Sequence, residues 1–137
     1  MKTISVENSM FLEEIIKSLN ANNPYIVNGS DNGHCIFMFK KEQVVESGPL
    51  TGGDIYKIAS FRRPEKKADP MIKVLYYNGH FVPFYIEYKN GQKKQSLDVL
   101  TGKYNEKQHD MLCLFCDSFI RQMSLVRAEL NMSKFNI

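Results

Sequence analysis

Apolar residues follow a helical spacing at both ends of the chain and a strand-like alternation between them. Near the start, Leu12, Ile15, Ile16 and Leu19 recur on one helix face. Ser9 stands as an N-cap and Glu13 and Glu14 lie near the positive end, which predicts a helix that stops near Asn20. A short strand over Thr3–Val6 would precede it. The run from Asn20 to Pro24 breaks the helix, and Tyr25–Asn28 then reads as a short strand entering the turn-rich Gly29–Gly33. In His34–Lys40, Cys35, Phe37 and Phe39 share one face and Ile36 and Met38 the other, the pattern of a central strand covered on both sides. Ile55–Phe61 is the next strand. Arg62–Pro70 is an exposed loop carrying Arg62, Arg63, Lys66 and Lys67 against Glu65 and Asp69.

The clearest local signal lies between Ile72 and Lys94, where Asn78-Gly79 and Asn90-Gly91 each separate strand-like runs as two-residue hairpin turns. That geometry pairs Tyr77 with His80, Tyr76 with Phe81 and Glu87 with Lys94. One face then carries Leu75, Tyr77, Val82, Phe84, Ile86, Tyr88, Leu97 and Val99, the expected core face beneath a helix. The other carries Ile72, Val74, Tyr76, Phe81, Pro83, Tyr85, Glu87, Lys94 and Ser96, expected to face outward. Pro83 lacks the N–H that a third strand would need opposite Asp98, so pairing there should fail or bulge. A last helix is predicted from Asn105, with Gln108 as capping partner, to about Asn131. Its stripe is Leu112, Cys116, Phe119, Met123, Val126 and Leu130, and the extra apolar width from Met111 to Phe115 implies burial on two sides.

These elements make an α+β fold in one domain over 1–137: an antiparallel meander of about five to six strands, an N-terminal helix and a long C-terminal helix, in the manner of a helix-grip. At 137 residues and 43% hydrophobic content the chain can bury a core without disulfides. The net charge of +3 falls short of a dedicated duplex-DNA binder. Cys35, Cys113 and Cys116 form an odd set behind a start with no secretory pattern, and no apolar run approaches the roughly 20 residues that span a bilayer. A reduced, cytoplasmic protein outside the membrane is the expectation.

Candidate chemistry is thin. His109, Cys113 and Cys116 fall at i, i+4 and i+7 of the last helix, so a metal could sit among them with Cys35 or His34. Cysteines in an apolar helix stripe are more often small core residues, and no metal site is assigned. Cys113 and Cys116 also stand mid-helix, away from the terminal dipole that activates a redox pair. The Ser47–Gly53 loop lacks the Gly-Lys-Ser/Thr of a phosphate cradle. No motif gives His34, His80 or His109 a catalytic role, and no cofactor is implied. What stands out is an aromatic sheet face, Tyr76, Phe81 and Tyr85, with Lys94 and the basic set Arg62, Arg63, Lys66 and Lys67 as a rim. The leading expectation is a non-catalytic protein-interaction module, inhibitor or adaptor using that face, a second copy of the chain being one such partner. The alternatives are single-stranded nucleic acid stacked on the rings, and a small ligand held between sheet and C-terminal helix by Phe84, Ile86 and Met123.

Overall fold

The computed structural model describes residues 1–19, 24–28, 35–62 and 65–135, with the side chains of 35 and 129–135 left out. The expected turn at Gly29–Gly33, and His34, Arg63 and the side chains of Cys35 and Leu130, lie outside what is described. Helix α1 (Val6–Ser18) is followed by β1 (Tyr25–Asn28), β2 (Cys35–Val44), β3 (Asp54–Arg62), β4 (Met71–Tyr77), β5 (His80–Glu87) and β6 (Lys93–Gln95), then by helix α2 (Glu106–Phe135). The strands form one six-stranded antiparallel sheet in chain order, so the α+β meander is as expected. β3 and β4 are its centre, while β2 lies one place from the β1 edge.

Helix α1 begins earlier than its apolar spacing implies. Ser5, not Ser9, is the N-cap, its Oγ accepting the Asn8 N–H at 3.3 Å. Asn8 is buried against α2, where its amide donates to the Asp117 carbonyl at 2.8 Å and carboxylate at 2.5 Å. A polar residue thus does the packing of an apolar one, which hides the first turn from a hydrophobic pattern. Ahead of the helix no strand forms, but the Ile4 N–H donates to the Phe81 carbonyl at 2.9 Å on the open side of β5. Helix α2 starts where expected, Asn105 Oδ1 accepting the Gln108 N–H at 2.9 Å.

The first hairpin has the predicted register, Tyr77 opposite His80 and Tyr76 opposite Phe81, with Asn78 and Gly79 at φ 52° and 78°, both left-handed. The second differs by one residue. The Gly91 N–H donates to the Tyr88 carbonyl at 2.9 Å and the Tyr88 N–H to the Gln92 carbonyl at 2.8 Å. Lys89-Asn90-Gly91 is therefore a three-residue loop with Gly91 left-handed at φ 91°. Glu87 then pairs with Lys93, and Ile86 with Lys94.

Which face is covered is the main correction. Both helices pack on the set expected to face outward: Ile72, Val74 and Phe81 join Phe11, Leu12, Ile15, Leu112, Cys116, Phe119 and Met123 in the larger core. Leu75, Val82, Phe84 and Leu97, expected under a helix, form a smaller core on the opposite face with Val45 from the β2–β3 connection. Alternation separates two faces but does not say which one a helix takes when both are apolar. Around Pro83 the ladder also slips, Lys73 pairing with Tyr85 and Val74 with Pro83, so that Phe84 is an extra residue. Beyond this bulge the parity reverses. Ile86 lies with the helix-facing residues, and Tyr85 leaves Phe81 for the other face. β6 pairing also ends at Gln95, short of Pro83, with the Ser96 N–H donating to the Phe84 carbonyl at 3.0 Å. The disruption expected at Pro83 is therefore real, although the register places it elsewhere than Asp98.

Candidate functional site

The buried polar groups near the start of α2 look chemical at first sight. Ser96 Oγ lies 3.0 Å from His109 Nδ1, and His109 Nε2 lies 2.7 Å from the Lys2 carbonyl. A carbonyl oxygen only accepts, so Nε2 carries a proton, and in the neutral ring the Ser96 hydroxyl donates to Nδ1. His109 is fully enclosed and Ser96 nearly so, which leaves no path for a substrate. Cys113 Sγ donates to the Thr3 carbonyl at 3.3 Å. These bonds fasten residues 2 and 3 to α2. With both ring nitrogens engaged, His109 has no lone pair for a metal, and among the described residues no group of His, Cys, Asp or Glu could hold one. Burial pushes the Cys113 thiol up to about 11, with Asp117 adding to it, and raises Cys116 further. Both are thiols of the core.

The expected aromatic platform does not come together. Phe81 is fully enclosed, its ring 4.3 Å from that of Tyr76 in an edge contact. The Tyr76 hydroxyl donates to Glu13 of α1 at 3.2 Å. Tyr85 stands on the other face within a polar network. Its hydroxyl donates to Glu87 Oε1 at 2.6 Å, Lys73 Nζ lies 4.9 Å from its ring centre, and Lys73 pairs with Glu42 at 3.2 Å. The bond to Glu87, then burial, pushes the Tyr85 hydroxyl up to about 12, and the same bond lowers Glu87. Arg62, Lys66 and Lys67 are exposed. Their loop docks on the β5–β6 hairpin, where Asp69 Oδ1 accepts the Lys89 N–H at 3.1 Å and Lys89 Nζ lies 2.6 Å from Glu65.

Lys94 leads to a surface that the pattern did not single out. Paired with Ile86, it points to the helix side and borders a groove of about 460 Å³ between the end of the sheet and the first turns of α2. Ile86 and Tyr88 form the sheet wall, and Met111, Leu112 and Phe115 the helix wall. Asn105, Lys107 and Gln108 close the end at the α2 N-terminus. Tyr88 and Phe115 meet edge to face, their ring centres 6.3 Å apart. Met111 and Leu114 are 65% and 75% exposed and Phe115 is 40% exposed, so the described residues cover the apolar width of this helix on one side alone. Lys94 and Lys107 are the charged residues of the lining, and neither joins an ion pair among the described residues. The run Met111–Phe115, whose width implied burial on two sides, is buried on one, and its second apolar side meets no partner among the described residues.

Comparison of the chain with protein-family models, with curated proteins and with solved structures gave no match in any of the three. No described helix is long and apolar enough to cross a membrane.

Proposed function

We propose that this chain is a non-catalytic protein-interaction module whose contact surface is the groove between β5–β6 and α2, with the exposed ridge Met111, Leu114 and Phe115 beside it. The observation that carries the reading is that ridge: contiguous large apolar side chains left in water at i, i+3 and i+4, next to a concave apolar surface. The enclosed polar groups are hydrogen-bonded to one another and are better suited to holding the fold than to chemistry. A second reading, a carrier of a small apolar ligand between sheet and C-terminal helix, is favoured by the groove's volume, which lies in the range of small-ligand sites. Its lining is Ile86 with Leu112 and Phe115. Met123 is sealed in the core and Phe84 lies on the other face.

A photo-crosslinking amino acid in place of Met111, with Glu46 at the far side as control, tests the proposal in cells producing the protein. A discrete protein adduct from position 111, absent at 46 and lost on Leu114→Glu, is expected. Adducts indifferent to that substitution, or none, would overturn it.

A further inference from the structure

The free edge of the sheet says what kind of segment such a groove can take. In an antiparallel pair, alternate residues turn both peptide groups toward the partner strand and the residues between turn theirs away. On the β5 side, the Tyr88 N–H donates to the Gln92 carbonyl and the Ser96 N–H to the Phe84 carbonyl. With Ile86 opposite Lys94 between them, residues 92 and 94 and the N–H of Ser96 face inward. Lys93 and Gln95 therefore present their N–H and C=O groups to the open edge. Past Gln95 that edge is closed, because Leu97 bridges Tyr104 and the Asn105 N–H donates to the Ser96 carbonyl at 3.0 Å. The open stretch thus coincides with the strand that borders the groove.

Side chains of β6 alternate with this pattern. Lys94 points into the groove, and Lys93 and Gln95 point to the other face. A chain laid along β6 would drop every second side chain toward Ile86, Tyr88, Leu112 and Phe115. The charges it would meet are the ammonium groups of Lys94 and Lys107, with no carboxylate in the lining. Apolar walls, lysines outside every ion pair among the described residues and an open hydrogen-bonding edge are the parts of strand addition, in which main-chain bonds give affinity and alternate pockets give specificity.

Resting on the interaction-module reading above, we infer that the groove binds an acidic, extended peptide segment of a partner protein, which adds to β6 as a further antiparallel or parallel strand. Apolar side chains of the segment enter the groove, and its Asp or Glu carboxylates pair with Lys94 and Lys107.

The test is selection of displayed random nonapeptides on the purified chain, with the Lys94→Glu/Lys107→Glu variant for counter-selection. Enriched peptides are expected to alternate apolar residues with Asp or Glu. Their affinity should drop at least tenfold on Lys94→Glu, and should weaken as salt rises. Gln95→Pro removes the outward N–H without touching a bond to β5, and should cost about tenfold. Gln95→Ala, which loses the side-chain bond to the Leu97 carbonyl but keeps that N–H, should cost little. N-methylation of alternate peptide amides should abolish binding in one phase and spare it in the other. Failure to enrich peptides over the variant overturns strand addition, as does enrichment without acidic residues or binding indifferent to N-methylation. If the Met111 crosslink persists in that case, the module reading stands with a folded partner. If that crosslink is lost as well, both readings fall.

Discussion

His109 Nε2 lies 2.7 Å from the Lys2 carbonyl, a contact across 107 residues of sequence made by a fully buried ring. Together with the Ser96 hydroxyl on the other ring nitrogen, it joins the N-terminal segment, the β6–α2 connection and α2 at one point. Replacing His109 by alanine would strand the Ser96 hydroxyl and the Lys2 carbonyl and open a cavity. The expected cost is about 3 kcal/mol, read from urea unfolding, against about 1 kcal/mol for Ser96→Ala. The double variant should lose less than the sum, because the two residues share one network.

Phe81 and Tyr85 should behave very differently. Phe81→Ala removes a fully enclosed ring from the larger core and is expected to cost about 3–5 kcal/mol. Tyr85→Phe loses the hydroxyl bond to Glu87 at a half-buried site and should cost about 1 kcal/mol. Equal and small effects in thermal or urea unfolding would contradict the face assignment.

Among the described glycines, Gly48 is the one whose replacement should hurt most. It stands at φ 90°, and a Cβ there would come within 2.2 Å of the Leu100 carbonyl oxygen, a backbone atom that cannot swing aside as a side chain can. Gly48→Ala is expected to cost about 2–4 kcal/mol. Gly79→Ala, at φ 78° with open space around it, should cost about 1–2 kcal/mol from backbone strain alone. Urea titration of both variants checks the order.

Alkali should weaken the fold over a defined range. Burial raises the Cys113 thiol from 9.0 to about 11 and the Tyr56 hydroxyl from 10.0 to about 12. The folded chain therefore keeps protons that the unfolded chain releases. The stability this contributes is complete below pH 9 and is lost as pH rises to about 11–12. Urea midpoints should be flat from about pH 7 to 8.5 and fall above. Cys113→Ser should make the fall shallower by up to about 1.4 kcal/mol per pH unit. In the native protein Cys113 should also react with iodoacetamide at pH 8 far more slowly than in urea.

Surface substitutions at the ridge should separate binding from folding. Met111→Glu with Leu114→Glu replaces side chains that are mostly in water, so unfolding should shift by no more than about 0.5 kcal/mol per site. Binding of a groove-selected peptide should nevertheless be lost. Unfolding that shifts by several kcal/mol would show the ridge to be part of the core.

The fold class was legible because it rests on local signals: the Asn78-Gly79 turn, the alternation on each side of it, and Asn105 with Gln108 at the start of α2. Less legible was anything decided between distant residues. The helix-covered face depends on α1 and α2 choosing between two apolar sets. The place of Tyr85 depends on one extra residue next to Pro83. The extra residue at Phe84 and the extra residue in the Lys89-Asn90-Gly91 loop offset each other, so Lys94 keeps the face of Phe81, which is the helix side, and borders the groove opposite Ile86. The unpaired side of α2 was visible in Met111–Phe115, but its concave neighbour exists only once β5 and β6 are in register.

The N-terminal strap sets an order of assembly. Hairpins of the meander form between near neighbours, whereas the contacts of Lys2, Thr3 and Ser5 with His109, Cys113 and Asp117 close loops of 107, 110 and 112 residues. Loop closure of that span comes late in folding. Pulse-labelled hydrogen exchange should show the amides of β3–β5 protected before the Ser5 N–H. During synthesis, α1 can find its seat only after the Asp117 turn of α2 has left the ribosome, so a segment made before the sheet is secured after it.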